Sequence, residues 1–282
     1  MDKTTEFLQK YNSIVVFSNY RTGSTALCNM LANFIQQYNT PVFLWMEYLL
    51  NNLYLTEKYG GLQVDAMTSA RFMYGPGAIH VAKRPVPSHI VRSKLEFFNK
   101  TRLKHFVIFK VMPDDFLNGN DKLLMDYILT DDTIFKIGLN REDTYNTIIS
   151  SVEAALTNQY HIIKDQPIAK ADIIKQIVPA QLINTTIDNI IQHHTWLYYN
   201  HFLLNQIVWY DELDSLNIHE LGLHHFSETM FIKNTVDHST RANTNFLNSD
   251  EFLKCAAILH KEIVPLVENV RSVSSNKHLW LY

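Results

Sequence analysis

The sequence predicts an α/β fold built on a central, mainly parallel sheet. Three observations support this fold class: short apolar runs without alternation, helical patterns that follow most of them, and no linker that would divide the chain. A strand inside a parallel sheet is covered on both faces, so it is continuously apolar rather than alternating. We therefore expect a single domain that spans residues 1–282, with a large helical portion.

The first predicted unit is a strand, a tight loop and a helix. The run Ser13–Ser18 (SIVVFS) is apolar and β-branched, which is typical of a buried strand. The loop 19–25 (NYRTGST) follows it, and apolar residues between 27 and 34 then recur with helical spacing. This order is typical of the beginning of an α/β sheet.

The rest of the chain continues the alternation of strands and helices. Three more segments are predicted as buried strands: His105–Val111, Thr133–Leu139 and Gln206–Tyr210. Helices are predicted over 144–156, over about 170–205 with a break near Pro179, from Asp211 onward, and over Ser249–Val270. The segment 57–104 holds four of the eight glycines, which predicts irregular structure.

Composition excludes several classes of protein. The net charge of −3 argues against a general nucleic-acid binder, which usually carries a basic surplus. Cys28 and Cys255 are far apart and indicate neither a disulfide framework nor a zinc site, which favours a reducing cytosol. The polar N-terminus lacks a signal-peptide core, and no apolar run reaches the ~18 residues of a membrane span. We expect a cytoplasmic protein with no membrane or nucleic-acid partner.

The loop before the first helix has the chemistry of an anion site. The N–H groups at a helix N-terminus lack intrahelical partners, and the helix dipole is positive there. Gly23 lets the backbone approach an anion closely, and Arg21 can form charge-assisted hydrogen bonds. Thr22, Ser24 and Thr25 can donate from their hydroxyls. An ordinary strand-to-helix turn, in which these residues only cap the helix, stays open as an alternative.

This loop resembles the 5′-phosphosulfate loop of sulfotransferases, whose usual form is close to P-[KR]-[ST]-G-[ST]-[ST]. Tyr20 stands where Pro is common, and this departure removes no anion-binding group. The segment Asn140–Ser151 is similar to the family's 3′-phosphate motif, which here gives Arg141 and Ser150, with Ser151 as a weaker alternate. A helix start with a solvated Arg is the alternative for the second motif. The interpretation requires both arginines on one side of the molecule and space beside Gly23.

Weaker similarities to the same family extend along the chain. Val107–Pro113 (VIFKVMP) resembles a central strand that carries a Lys, and Trp209–Leu213 (WYDEL) resembles an element after a late strand. The segment 233–246 resembles a basic loop that covers the nucleotide, with Lys233 and Arg241 as candidates. A solvated basic loop is the alternative for that segment. The subgroup that the chain resembles most is that of bacterial and phage sulfotransferases related to the trehalose sulfotransferase.

The resemblance implies a P-loop NTPase-like, three-layer α/β/α fold and a transferase activity. Such enzymes move a sulfuryl group from 3′-phosphoadenosine 5′-phosphosulfate to a hydroxyl or amine, without a metal. Arg21 and the loop N–H groups would neutralise the leaving phosphate. Glu47, which precedes Tyr48, would be the base, and a solvated Glu on a helix is its alternative. His80 and His89 are the other candidate bases.

Several points stay open at this level. A small molecule or a carbohydrate is the expected acceptor, and the carbohydrate follows from the subgroup resemblance. The loop lacks the Lys and the second Gly of GxxxxGK[ST], which argues against a divergent P-loop nucleotide kinase or NTPase. A catalytically inactive nucleotide-binding member of the family is another alternative.

His193, His194 and His201 are interpreted as helix-face residues. A homodimer through the long helical region is compatible with the pattern but is not required by it.

Overall fold

A computed structural model describes residues 3–45, 95–96, 98–112, 122–157, 177–213 and 247–275 of the chain. The helices are α1 (Lys3–Lys10), α2 (Ser24–Gln36), α3 (Lys122–Thr130), α4 (Thr144–Thr157), α5 (Ala180–Asn200) and α6 (Ser249–Ser275). The strands are β1 (Ser13–Ser18), β2 (Val42–Trp45), β3 (Phe106–Val111), β4 (Ile134–Asn140) and β5 (Gln206–Trp209). Short 3₁₀ turns lie at His201–Leu203 and Tyr210–Glu212.

Within these ranges, the strands form one five-stranded sheet in the order β2-β3-β1-β4-β5, and every pair is parallel. β1 lies at the centre because it is short, apolar and fully buried along its length. Its last residue, Ser18, pairs with Leu139, and Asn140 pairs with Trp209 in turn. The carboxyl ends of β1, β4 and β5 therefore lie side by side, and the segments that follow them meet at one edge.

Helices cover both faces of the sheet, as parallel strands require. One core contains Ile14 and Val16 of β1 packed against α1 and α2. The other contains Val15 and Phe17 packed against α4, α5 and α6. Alternate residues of β1 thus enter two separate cores, so the molecule is an α/β protein with a parallel sheet between helices.

The connections after β1 and β4 run to opposite faces of the sheet, an arrangement that in open α/β sheets leaves a crevice at the carboxyl edge. The chain leaves β1 and enters α2 on one face, whereas it leaves the adjacent β4 and enters α4 on the other face. Neighbouring strands whose connections diverge in this way leave a gap beyond their carboxyl ends, and ligands of open α/β sheets bind there. The predicted phosphate loop and the segment after Arg141 form its two sides.

The four predicted strands are present, and the helices predicted after the first strand, over 144–156 and over Ser249–Val270 are present as α2, α4 and α6. Several other elements differ. β2, α1 and α3 were not predicted, since each is short and β2 has only four residues. The prediction of irregular structure over 57–104 is wrong at residues 95–96 and 98–102, which are helical, and the remainder up to 94 lies outside the described residues. Pro179 precedes α5 rather than breaking it, because a helix tolerates Pro at its start.

The predicted helix from Asp211 is not α-helical at residues 211–213, where the chain forms a 3₁₀ turn over Tyr210–Glu212, and its remainder lies outside the described residues. Side-chain contacts to the neighbouring loops hold this turn, as described below. Within the described ranges, no helix combines the length and the apolar character needed to cross a membrane.

Candidate functional site

The loop between β1 and α2 presents the N-terminus of a helix to the crevice. Arg21 and Gly23 both have left-handed backbones, with φ of 63° and 78°. α2 begins at Ser24, and its N-cap residue is Gly23, which makes no side-chain hydrogen bond to the helix. The first hydrogen bond of the helix runs from the Leu27 N–H to the Gly23 carbonyl at 3.0 Å. The N–H groups of residues 24–26 precede that bond, so they are available to an anion.

The loop hydroxyls have different partners. The Thr22 hydroxyl donates to the Asn19 carbonyl at 2.7 Å, so its hydrogen stabilises the loop rather than pointing to a ligand. The Thr25 hydroxyl oxygen accepts from the Nζ of Lys110 at 3.3 Å. A hydroxyl that accepts from a cation keeps its own hydrogen for donation to an anion. Thr25 is therefore the better placed of these two hydroxyls for ligand contact.

Lys110 is a site residue that was not assigned to the site from the sequence. It pairs with Val16 across β3 and β1, is 3% exposed, and lies beneath the first turn of α2. The loop itself contains no Lys, but β3 brings one to it from 85 residues away. The signal in the sequence was a single Lys inside an otherwise apolar strand. Burial of its charge is costly unless the ammonium group has a hydrogen-bond or charge partner.

Arg21 and Ser150 join the two predicted motifs directly. The Nε of Arg21 donates to the Ser150 hydroxyl at 2.7 Å, although 129 residues separate them. Ser150 lies in α4, is 2% exposed, and keeps its own hydroxyl hydrogen for a ligand because it accepts from Arg21. Ser151, the alternate, is half-buried and follows it in the same helix.

Arg141 lies immediately beside the loop. Its Nη1 donates to the Arg21 carbonyl at 3.2 Å, and its Nη2 is 4.0 Å from the Asp143 carboxylate. The residue is only 6% exposed, yet its Nε has no hydrogen-bond partner, and the same holds for the Nδ2 of the adjacent, fully buried Asn140. Two buried donors without partners at the carboxyl end of β4 point to an acceptor that a ligand supplies.

Gly23 serves a different purpose from the one expected. A Cβ at this position would lie 2.4 Å from Cδ2 of Tyr210 and 2.5 Å from its Cε2, so the space expected beside Gly23 is filled by that ring. The positive φ and the aromatic contact both require glycine. The condition of open space beside Gly23 is therefore not met, and an anion at this loop would have to approach the N–H groups at the start of α2 instead of the Cα of Gly23.

Tyr210 also contacts the second arginine, and sequence reasoning missed this role. The Cζ of Arg141 lies 4.9 Å from the centre of the Tyr210 ring, within the range of a cation–π interaction. The side chain of Asp211 accepts from the Glu142 N–H at 2.8 Å, so the turn after β5 holds the turn after β4. The WYDEL motif was the signal that could have placed these two residues at the site.

Comparisons of the chain with protein-family models, with curated proteins and with solved structures find no match. In the part of the chain that the structure describes, no group of three His, Cys, Asp or Glu side chains is placed to hold a metal ion. The other predicted site residues lie outside the described residues: Glu47, His80, His89, Lys233 and Arg241.

Two buried titratable groups near the site are not suited to chemistry at neutral pH. Burial raises the pKa of the Cys28 thiol to about 12, although the nearby charge of Lys110 lowers it. The thiol is therefore neutral and a poor nucleophile.

His193, which we interpreted as a helix-face residue, is fully buried and bonds the Leu139 carbonyl through its Nε2 at 3.0 Å. It supports the end of β4 rather than facing solvent.

Proposed function

We propose that the protein is a sulfotransferase that uses 3′-phosphoadenosine 5′-phosphosulfate as the donor and a hydroxyl group as the acceptor. The observation that carries the proposal is the contact between two motifs that are far apart in sequence. Arg141 bonds the carbonyl of Arg21 at 3.2 Å, and Arg21 bonds Ser150 at 2.7 Å. These residues are the ones by which the chain resembles sulfotransferases, and this contact is what a common nucleotide site would require.

The fold is compatible with this proposal. A parallel sheet with helices on both faces, and with a strand–loop–helix unit at its centre, is the architecture that the P-loop resemblance implies. The crevice lies at the carboxyl edge between β1 and β4, where nucleotides bind in open α/β sheets. We therefore propose a P-loop NTPase-like, three-layer arrangement for the domain.

The residues at the site fit a nucleotide with two anionic ends. The 5′ end would contact the N–H groups at the start of α2, with Lys110 and the Thr25 hydroxyl beside them. The 3′-phosphate would receive hydrogen bonds from Arg141 and the Ser150 hydroxyl. Arg21 would join the 3′ side of the site, because its Nε donates to Ser150 and its carbonyl accepts from Arg141.

The chemistry follows from this arrangement of charge. The bound donor supplies a sulfuryl group whose bond to the 5′-phosphate oxygen breaks as the acceptor oxygen attacks sulfur. Negative charge then grows on the 5′-phosphate, where the Lys110 ammonium and the N–H groups at the start of α2 stabilise it. The backbone and the buried cations are positioned before the reaction, so little reorganisation is needed as the charge develops.

Removal of the acceptor proton requires a base, and we propose Glu47 on the resemblance alone. Its side chain would accept the hydroxyl proton as the oxygen attacks. A carbohydrate is the acceptor class to test first, because the subgroup resemblance favours it. Lys233 and Arg241 are proposed to contact the nucleotide from the late loop, on the same ground.

Binding of adenosine 3′,5′-bisphosphate, measured by isothermal titration calorimetry, tests the nucleotide site. We expect saturable binding at micromolar concentration, with weaker binding of adenosine 5′-monophosphate, which lacks the 3′-phosphate. Transfer of ³⁵S from labelled donor to a panel of carbohydrates and phenols then tests the reaction. Glu47→Gln should reduce turnover by at least 100-fold and change the nucleotide Kd by less than threefold, because a base acts on the acceptor and not on the nucleotide.

The same measurements separate the alternatives. Absence of binding at high micromolar nucleotide would refute the proposal. Tight, Mg²⁺-dependent ATP binding without a preference for the 3′-phosphate would indicate a nucleotide kinase or NTPase instead. Tight binding of the bisphosphate without transfer to any acceptor in the panel, and without donor hydrolysis, would favour an inactive nucleotide-binding protein.

A further inference from the structure

The 3₁₀ turn at Tyr210–Glu212 contacts both sides of the candidate site at once. It follows β5, whose carboxyl end lies beside that of β4, because Asn140 pairs with Trp209. The chain therefore delivers Tyr210 to the same edge as the phosphate loop and Arg141. Neither of the two arginine motifs includes this turn, so its contacts add a third segment of the chain to the candidate site.

The Tyr210 ring is in van der Waals contact with the phosphate loop. A Cβ on Gly23 would lie within 2.5 Å of two ring carbons, so the ring occupies the position that a side chain would need. Leu213, at the end of the same turn, lies 3.7 Å from that position. The turn thus forms a wall against the loop at the N-terminus of α2.

The same ring also faces the Arg141 guanidinium, at 4.9 Å from Cζ to the ring centre. Arg141 is 6% exposed, so this contact is largely shielded from water, and such contacts are stronger than exposed ones. Asp211 holds the same segment by accepting from the Glu142 backbone N–H at 2.8 Å. The planar group of Arg141 is therefore oriented by a ring that also limits the position of the loop.

We propose that Tyr210 is a positioning residue of this site: its ring orients the Arg141 guanidinium toward the 3′-phosphate and fixes the distance between Arg141 and the phosphate loop at Gly23. The proposal deepens the proposed function and rests on it for the identity of the ligand. It predicts that the loss of the ring weakens recognition of the 3′-phosphate more than recognition of the rest of the nucleotide. A purely structural role would weaken both to the same extent.

The test compares Kd values for adenosine 3′,5′-bisphosphate and adenosine 5′-monophosphate in three proteins. The Kd for adenosine 5′-monophosphate divided by the Kd for adenosine 3′,5′-bisphosphate measures the contribution of the 3′-phosphate. Tyr210→Leu keeps apolar volume without a π face, and we expect this ratio to fall by about tenfold, the effect of a buried cation–π contact. Tyr210→Phe keeps the ring and should retain the wild-type ratio within twofold. Tyr199→Leu, at a 68% exposed tyrosine of α5, is the matched control.

A second measurement covers the case in which Tyr210→Leu does not fold. The Nε–Hε resonance of Arg141, assigned through Arg141→Lys, should be shifted upfield by the ring current of Tyr210 in the wild-type protein. Tyr210→Phe should keep that shift. A resonance at an ordinary position would overturn the proposal without any ligand.

The outcomes distinguish failure of the proposed function from failure of the inference about Tyr210. Wild-type protein that binds neither nucleotide would overturn the proposed function and this inference with it. Wild-type protein that prefers the bisphosphate, combined with an unchanged ratio in Tyr210→Leu, would overturn the inference alone. A Tyr210→Phe variant that loses the preference as fully as Tyr210→Leu would also overturn it, because the hydroxyl and not the ring would then be responsible.

Discussion

At the scale of single residues, Arg21 combines a backbone role with a side-chain role. Its φ of 63° is unusual for a residue with a Cβ and costs roughly 1–2 kcal/mol. Its carbonyl accepts from Arg141 and its Nε donates to Ser150, so both halves of the residue contribute to the same network. A strained conformation persists where the surrounding contacts over-determine it, and such positions cluster at functional sites.

Two substitutions at this position separate the two roles. Arg21→Gly and Arg21→Ala both remove the side chain, and each should weaken binding of adenosine 3′,5′-bisphosphate by about tenfold or more, the value of a charge-assisted hydrogen bond. Only glycine relieves the backbone, so Arg21→Gly should have a free energy of unfolding about 1 kcal/mol higher than Arg21→Ala. Calorimetry and urea denaturation measure these two effects. Equal stability of the two variants would contradict the assignment of strain to this residue.

At the scale of elements, α5 carries two adjacent buried histidines. His193 bonds the Leu139 carbonyl of β4, and His194 bonds the Ile190 carbonyl of its own helix at 2.8 Å. Burial lowers the pKa of His193 to about 3, with a further decrease from the neighbouring His194, and burial lowers the pKa of His194 to about 4. Both rings are therefore neutral in the folded protein at neutral pH.

These values predict that α5 makes the protein sensitive to acid. The unfolded chain binds protons at these histidines near pH 6.5, whereas the folded protein does so only near pH 3–4. The contribution of His193 and His194 to the free energy of unfolding is thus complete above pH 6.5 and is lost as the pH falls toward 4. The free energy of unfolding in urea should decrease over this range, and His194→Leu should flatten the decrease.

A matched control for this prediction is His201→Gln, which changes a more accessible histidine just after α5. We expect this variant to keep the pH dependence of the wild-type protein. A wild-type profile that is flat between pH 6.5 and pH 4.5 would contradict the burial of the pair. So would a profile that His194→Leu leaves as steep as before.

At the scale of the whole molecule, three strand ends are connected through side chains. The loop after β1, the segment after β4 and the turn after β5 are linked by Arg21, Arg141 and Tyr210. The site is therefore assembled by the order of strands in the sheet, and a bound nucleotide would bridge segments that are distant in sequence. Such bridging stabilises the folded state by mass action.

Hydrogen exchange with mass spectrometry tests this bridging. Adenosine 3′,5′-bisphosphate should slow amide exchange together in residues 19–26, 140–150 and 209–213. Adenosine 5′-monophosphate should protect 19–26 in a similar way but 140–150 less, because it lacks the group that Arg141 and Ser150 would hold. Residues 101–105 and 131–133, which flank the amino ends of β3 and β4, provide the internal control. Protection there, without protection at the three strand ends, would place the ligand elsewhere.

The parts of the fold that depend on local patterns could be predicted from the sequence. The strand Ser13–Ser18, the loop after it and the helical spacing that begins near Leu27 are all local features, and the structure contains them. β2 was missed because four apolar residues do not distinguish a strand from a helix. The helix predicted from Asp211 was wrong at the described residues 211–213, because Tyr210 contacts Gly23 and Arg141 in a 3₁₀ turn, and the local pattern does not include those contacts.

The sequence by itself determined an α/β fold with a parallel sheet and a loop whose residues suit an anion, because strand periodicity and loop chemistry are properties of neighbouring residues. Only the tertiary structure decided that Lys110 lies under the loop, that Arg21 reaches Ser150, and that Gly23 faces Tyr210. These contacts join residues 85 to 187 positions apart, and they depend on which strands pair and in which register. Strand pairing is a cooperative property of the whole sheet, so no single segment specifies it.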